Sequence, residues 1–158
     1  MTNERADIRC RQATGADVEA LAELRWQMSS ERESSDGSHE DYIGAFCKTV
    51  GDELARGTYR AWLAEADGTP VACAVLIWWP MPPTRDELHR RRGYVSSVYT
   101  RPEYRRLGLA RTLMEMLLAE ARDLGIRKVL LNSSTMGRQL YLNMGFQMNE
   151  RVLEIKLF

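Results

Sequence analysis

The sequence, of 158 residues, has no hydrophobic run long enough to cross a membrane. A transmembrane helix needs about 18 to 20 successive apolar residues, and the first ten residues, MTNERADIRC, are charged where a signal peptide would be apolar. We therefore expect a soluble, cytoplasmic protein without membrane contacts. This length also predicts a single domain over residues 1–158, built around one hydrophobic core.

Cysteine is scarce, and neither sign of charge is in excess. Cys10, Cys47 and Cys73 are odd in number and form no CxxC or Cys/His pattern, so we expect no disulfide framework and no metal site. Lys and Arg total 22, as do Asp and Glu, so we expect no nucleic-acid partner. The charges are nevertheless segregated, because arginines crowd residues 85–111 whereas acids crowd residues 31–53. The first segment could face an anion and the second a cation, or both could be solvated surfaces.

Apolar residues alternate in some segments and recur every three or four residues in others, which indicates a mixed α and β domain. The pattern predicts strands at 8–12, 59–66, 71–79, 94–100, 128–131 and 152–157, and helices at about 18–28, 40–54, 109–124 and 135–143. The turn DGTP should join the second and third strands into an antiparallel hairpin. The strands at 94–100 and 128–131 are separated by a helix, so we expect them to be parallel neighbours.

The segment VYTRPEYRRLGLARTLMEMLLAEARDLG, residues 98–125, passes from a strand to an amphipathic helix. Pro102 ends the strand, and the first N–H groups of the helix have no intrahelical partners. Gly108 and Ala110 are small, so an anion could approach the backbone there while the helix dipole favours its charge. The Gly-Lys-Ser/Thr of a P-loop and the three glycines of a dinucleotide fold are both missing, which favours another phosphate ligand.

Residues 105–110, RRLGLA, resemble the Arg/Gln-x-x-Gly-x-Gly/Ala motif of the GNAT superfamily of acetyl-CoA-dependent N-acetyltransferases. A second segment, RQLYLNMGF at residues 138–146, is similar to the family's aromatic helix, in which a tyrosine precedes a Gly-Phe pair by four residues. The order of elements agrees over about residues 7–157. The resemblance implies a mixed, mostly antiparallel central sheet with one splayed pair of parallel strands, flanked by about four helices.

The resemblance also implies where acetyl-CoA binds. Backbone N–H groups from Arg106 to Ala110 would hold the pyrophosphate, and the pantetheine arm would pair with β-strand backbone near Val98 and Thr100. The N–H of Val98 would stabilise the thioester oxyanion, and Tyr141 would act as general acid toward the sulfur. The full set implied for the cosubstrate is Val98, Tyr99, Thr100, Arg105, Arg106, Leu107, Gly108, Leu109, Ala110, Arg111, Asn132, Arg138 and Tyr141.

The acceptor side departs from the family, because Ser96 and Ser97 stand where a glutamate base is often found. The base stays open among Glu31, Glu33, Asp36, Glu40 and a water chain. We expect acceptor contacts from Glu31, Glu33, Trp79 and Ser97, and an acceptor that is a small cationic primary amine. A protein N-terminus or lysine is the alternative acceptor, and a non-catalytic acyl-CoA sensor is the alternative function. A monomer and a homodimer are both compatible with the composition.

Overall fold

The computed structural model, which describes residues 7–32 and 37–157, contains one five-stranded sheet. The strands are β1 (Ile8–Gln12), β2 (Tyr59–Ala66), β3 (Thr69–Pro80), β4 (Arg91–Thr100) and β5 (Lys128–Leu131). The α-helices are α1 (Val18–Ser30), α2 (His39–Arg56), α3 (Leu109–Asp123) and α4 (Arg138–Asn143), with short 3-10 helices at Gly15–Asp17 and Pro102–Tyr104. None of these helices is both long and apolar enough to pass through a membrane.

The strands lie in the sheet in the order in which they occur in the sequence. The β1–β2, β2–β3 and β3–β4 pairs are antiparallel, whereas β4 and β5 are parallel. A tight turn joins β2 to β3, whereas α1 and α2 lie between β1 and β2. A parallel pair needs a long crossover, and α3 supplies it. The predicted mostly antiparallel sheet with one parallel pair is therefore confirmed.

Two apolar clusters cover the two faces of the sheet. Against α3 lie side chains of β2, β3 and β4, including Trp62, Val71, Leu76 and Val95, which pack on Leu109, Leu113, Met114 and Leu117. On the opposite face, Leu63, Cys73, Val75 and Tyr99 pack on Leu21, Leu24 and Met28 of α1 and Val50 of α2. The apolar residues of α3, which recur at helical spacing, thus form a buried face, as predicted.

An irregularity in β4 opens the sheet toward β5. Tyr99 pairs with Cys73 and Ser96 with Val75, so two residues of β4 oppose one of β3, which is a β-bulge. Ser97, within the bulge, has a positive φ of 53°. Pairing between β4 and β5 ends at Val95 with Leu131, so the rest of β4 has no β5 partner. This is the splayed parallel pair that the resemblance implied.

The predicted strand at residues 152–157 is wrong, because these residues form no strand or other regular element. Their apolar side chains are solvent-exposed, from 61% for Val152 to 93% for Leu153. Alternating apolar residues favour a strand only if a neighbouring backbone completes the ladder, and no described strand pairs with this segment.

Several predicted boundaries also move. The ladder of β3 continues to Pro80, which pairs with Arg91, because proline is tolerated where a ladder ends. As a result, β4 begins three residues before the predicted position 94. Helix α4 begins at Arg138, not at position 135, because the preceding residues form a turn in which the Ser134 hydroxyl accepts a hydrogen bond from the Gly137 N–H at 3.1 Å.

Candidate active site

A cavity of about 1000 Å³ lies where β4 and β5 separate, and it extends along the end of α1, the start of α3 and α4. It brings together most of the residues that the sequence nominated. The nominated residues that line it are Glu31, Ser97, Val98, Tyr99, Thr100, Arg105, Arg106, Gly108, Leu109, Ala110, Arg111, Asn132 and Tyr141.

Three other nominated residues that the structure describes do not line the cavity. The Leu107 side chain is 61% exposed, although the interaction implied for that residue involves its backbone. Arg138 begins α4 and Trp79 lies near the end of β3, 40% exposed, and neither lines the cavity. The neighbouring Trp78 packs on the core instead. Glu33 lies outside the described residues.

The turn before α3 has the backbone shape that an anion cradle needs. Arg106 and Gly108 have positive φ angles of 63° and 79°, and α3 begins at the next residue, Leu109. No side chain caps this helix start, so its first N–H groups face the cavity side without a local acceptor. A Cβ added to Gly108 would meet nothing within 4 Å. Glycine is therefore required there by the φ angle, whereas the sequence argument had stressed close approach of a ligand.

Two arginine side chains beside this turn, those of Arg105 and Arg111, are bonded to other groups of the protein. Arg105 donates to the Thr100 carbonyl oxygen at 2.9 Å and to a Glu31 carboxylate oxygen at 2.6 Å. Arg111 donates to Glu115 at 3.0 Å, one helical turn further along α3. These side chains supply positive charge near the turn, but the backbone N–H groups are better placed to bind a phosphate directly.

Glu31 is held at the end of α1 by two partners. One carboxylate oxygen accepts from the Tyr99 hydroxyl at 2.7 Å and the other from Arg105 at 2.6 Å. The hydrogen bond from Tyr99, followed by that from Arg105, lowers the pKa of Glu31. Burial, together with this hydrogen bond, raises the pKa of Tyr99 to about 12. A carboxylate whose pKa is lowered and whose two oxygens are occupied is a weak base.

Tyr141 faces the cavity from α4. Its ring packs edge-on against Phe146, with centroids 5.9 Å apart, so the tyrosine of the RQLYLNMGF segment is held by the phenylalanine of the same segment. Burial raises the pKa of the Tyr141 hydroxyl. The phenol is consequently protonated at neutral pH and has a proton to donate.

Two polar side chains on the splayed strands also face the cavity. The Thr100 hydroxyl oxygen is buried and has no hydrogen-bond partner among residues 7–32 and 37–157. Asn132 directly follows β5 and lines the same space. An unpaired buried hydroxyl is costly, so a polar ligand lying along β4 would satisfy it. The amide- and hydroxyl-rich pantetheine arm has this chemistry, so the residues present fit coenzyme A.

Arg25 is a charged residue of the cavity lining that the sequence analysis did not single out. Arg25 of α1 donates from one guanidinium nitrogen to the Ser96 hydroxyl at 3.2 Å and to the Ser97 hydroxyl at 2.9 Å. Consecutive residues of a regular strand point to opposite faces, and the bulge allows both hydroxyls to meet one guanidinium. The sequence did contain a sign of this position. Arg25 follows Leu21 by four residues and precedes Met28 by three, and this helical spacing places it on the buried face of α1.

Within the described ranges, no three His, Cys, Asp or Glu side chains are clustered so that they could hold a metal ion. The three cysteines are free thiols. Among the described residues, the cavity lining offers backbone N–H groups, hydroxyls, arginines, the Asn132 amide and the Glu31 carboxylate.

Comparison with known proteins agrees with this geometry. The model of the acetyltransferase (GNAT) family matches residues 18–146, which is most of the chain. The chain belongs to the GNAT family of acetyltransferases, and the acetyl-CoA-dependent chemistry implied by its two motifs is the chemistry of that family. A comparison with curated proteins gives no match.

Solved structures with the same fold include a predicted acetyltransferase from Clostridium acetobutylicum with acetyl-CoA. It is 28% identical, with a TM-score of 0.85 over 96% of this chain and 97% of that one. A GCN5-related N-acetyltransferase from Ralstonia eutropha is 26% identical, with a TM-score of 0.81 over 95% and 99% of the two chains. A glucosamine-6-phosphate N-acetyltransferase from Arabidopsis thaliana, 16% identical over 96% and 99% with a TM-score of 0.73, shares the fold.

Proposed function

We propose that this acetyltransferase moves the acetyl group of acetyl-CoA directly to the primary amine of a small molecule. The observation that carries the proposal is the single cavity at the β4–β5 opening. It is lined by the anion cradle before α3, by the Val98 segment of β4 and by Tyr141. Its volume, about 1000 Å³, is at the upper end of the range typical of small-ligand sites, which suits a cosubstrate together with a small acceptor.

In this proposal the chain holds the cosubstrate at three places. The N–H groups from Arg106 to Ala110 bind the pyrophosphate. The backbone of Val98 to Thr100, which β5 leaves unpaired, and the Thr100 hydroxyl bind the pantetheine arm. Asn132 contributes from the opposite strand. The cosubstrate supplies an acetyl group that is activated as a thioester.

The chain's own groups then assist the transfer. The amine nitrogen forms a bond to the acetyl carbon as the carbon–sulfur bond breaks. The sulfur takes a proton from the Tyr141 hydroxyl, and the phenolate then regains a proton from solvent. The Val98 N–H donates to the carbonyl oxygen as negative charge develops, an interaction worth ~3 kcal/mol when preorganised. The amine gives up one proton to solvent through the cavity, because the Glu31 carboxylate is already occupied by Tyr99 and Arg105.

The interpretation that the acidic segment faces a cationic acceptor gains no support from the described residues. Among them, Glu31 is the acid of the 31–41 segment that lines the cavity, and both of its oxygens already accept hydrogen bonds. Glu40 and Asp41 lie in the first turn of α2, outside the cavity lining. A small-molecule amine thus stays the proposal, without recognition by a cluster of carboxylates. The cytoplasmic location and the oligomeric state stay predictions.

The test is incubation with acetyl-CoA and a panel of amino acids, polyamines, aminoglycosides, amino sugars and peptides, with acetylated products detected by mass spectrometry. Tyr141→Phe should lower kcat by ~10² to 10⁴ with little change in KM, because it removes the proton donor but keeps the ring. Tyr104→Phe, a second tyrosine of the cavity lining, is the matched control and should retain activity within about threefold.

Three results would redirect the proposal. Acetylation of peptides alone would make the acceptor a protein. Stabilisation by coenzyme A without any acetylated product would favour an acyl-CoA sensor. Equal kcat for Tyr141→Phe and the unsubstituted enzyme would remove Tyr141 as the acid.

A further inference from the structure

Arg25 is a half-buried cation inside the cavity. Three other half-buried arginines have carboxylate partners: Arg11 pairs with Asp17 and Glu65, Arg60 with Glu120, and Arg105 with Glu31. Arg101, which is also half-buried, donates to the neutral side chain of Gln27. No carboxylate among residues 7–32 and 37–157 forms an ion pair with Arg25.

The groups around Arg25 are neutral at physiological pH. Its guanidinium hydrogen-bonds to the hydroxyls of Ser96 and Ser97 and to the Tyr42 side chain. Its charge is also felt by Tyr59 and Cys73, and burial raises the pKa of all three titratable groups. One nitrogen makes both serine bonds, and a guanidinium has five N–H donors in a planar fork. A half-buried cation with donors to spare is stabilised by an oxyanion that enters the cavity.

The position of Arg25 separates it from the phosphate cradle. Ser97, which it bonds, directly precedes Val98, whose N–H we place at the acetyl carbonyl. The cradle begins eight residues after Val98, at Arg106, beyond the end of β4. Coenzyme A leaves the cradle along β4 toward Val98, so Arg25 lies past the reactive end of the cosubstrate, on the acceptor side.

We propose that Arg25 determines acceptor specificity by binding a carboxylate or phosphate on the same molecule as the reacting amine. This inference rests on the proposed function, and it replaces a simple cationic acceptor with an amine that also carries an oxyanion. The serines hold the guanidinium in place, and the remaining N–H donors bind the oxyanion. Arg25 is thus a specificity residue, and it takes no part in the proton transfers.

The first experiment compares matched acceptors. Amino acids are assayed against their carboxamides, and aminoalkyl phosphates against the corresponding amino alcohols. The amine of a carboxamide is less basic and more often in its nucleophilic free form, so preference for the acid cannot come from amine reactivity. We expect kcat/KM to favour the anionic member of one pair by about 10- to 100-fold, the range for a charge-assisted hydrogen bond. The responding pair identifies carboxylate or phosphate. Acetylation of the neutral members as fast as the anionic ones would overturn the inference while leaving the transferase proposal standing.

The second experiment changes Arg25. Arg25→Gln should abolish the preference for the anionic acceptor by raising the KM of that acceptor. The KM of acetyl-CoA should change by no more than about threefold. Arg25→Lys should retain part of this preference, because lysine keeps the positive charge but lacks the planar fork of guanidinium N–H donors. Arg56→Gln, an exposed arginine of α2, is the control. A residue that only supported the β4 bulge would lower kcat equally for both members of each pair. An unchanged preference in Arg25→Gln would refute the role.

A binding measurement tests recognition of the oxyanion by Arg25 independently of acetyl transfer. Thermal stabilisation of the enzyme saturated with coenzyme A is measured with each acceptor pair, without turnover. If no amine is acetylated, the transferase proposal fails, yet Arg25 is still tested. Stabilisation by the anionic members, lost in Arg25→Gln, supports recognition, and equal stabilisation by both members overturns it.

Discussion

Replacing Glu31 with glutamine should weaken the fold modestly and leave the chemical step nearly intact. Glu31 accepts hydrogen bonds from Tyr99 and Arg105 and so ties the end of α1 to the segment that leads into the cradle. Glutamine has nearly the same shape, and its amide oxygen can accept from Arg105 while its NH2 group donates to the Tyr99 hydroxyl oxygen, but it cannot carry the charge. The substitution therefore isolates the charge-assisted part of both interactions.

The magnitude follows from the geometry. Charge-assisted hydrogen bonds contribute about 1.5 to 3 kcal/mol and neutral ones about 0.5 to 1.5, so two bonds would lose about 2 kcal/mol if fully buried. The side chains of Glu31 and Arg105 are 37% and 30% exposed, and solvent screening reduces this loss. We expect the free energy of unfolding to fall by about 1 kcal/mol and Tm by about 2 to 4 °C.

The loss should depend on pH. The folded pKa of Glu31 is lowered, so its contribution is present above the ordinary carboxyl pKa of 4.5 and disappears as pH falls through the folded value. Urea unfolding of the two proteins at neutral pH should show the difference, and the curves should converge in acid. Glu115→Gln is the control, because its ion pair with Arg111 is exposed on α3 and should contribute little.

Kinetics complete this test. A catalytic base contributes ~10² to 10⁴ in rate, whereas we expect Glu31→Gln to change kcat by no more than about threefold. A fall of a hundredfold or more in kcat with unchanged stability would show that Glu31 is the base. A stability loss that is equal at neutral and acidic pH would show that its charge does not hold the segment.

Four further outcomes are expected. Gly108→Ala should raise the acetyl-CoA KM and cost about 1 to 2 kcal/mol in urea unfolding, because alanine is strained at a φ of 79°; an unchanged KM would contradict the cradle. Gly93→Ala should cost about 1 to 3 kcal/mol, since its Cβ would lie 3.1 Å from two methyl groups. Asp17→Asn should cost about 1 to 2 kcal/mol at neutral pH, because Arg11 lowers the pKa of Asp17; the loss should shrink as pH falls below 3.8, and a constant loss would contradict it. Cys73, whose pKa burial raises to about 12, should resist iodoacetamide until urea unfolds the protein, as peptide mass spectrometry would show.

The misplaced terminal strand shows where the sequence pattern fails. Residues 152–157 have the apolar content of a strand, but strand formation needs a neighbouring backbone, and periodicity contains no information about which backbone is near. The same limit applies to Trp79, whose place after a hairpin strand suggested the acceptor mouth. It pairs with Arg92 and does not line the cavity.

The sequence by itself determined the elements whose causes are local. Pro102 stops a strand, Gly108 permits a positive φ, and the three- and four-residue spacing of apolar side chains makes α3 amphipathic. Each signal acts within a few residues, so the strand-turn-helix that forms the cradle could be found by inspection. The segment that carries Tyr141 was found by its resemblance to the family.

Only the tertiary structure decided which polar groups meet in the cavity. Arg25 bonds a serine 72 positions away, and Glu31 bonds Tyr99 across 68 positions. Those partners depend on the register of β3 and β4 and on one extra residue in β4. A shift of one residue reverses the face on which every later side chain lies, so the pairing of Arg25 and Glu31 with β4 is set by strand register and not by local preference.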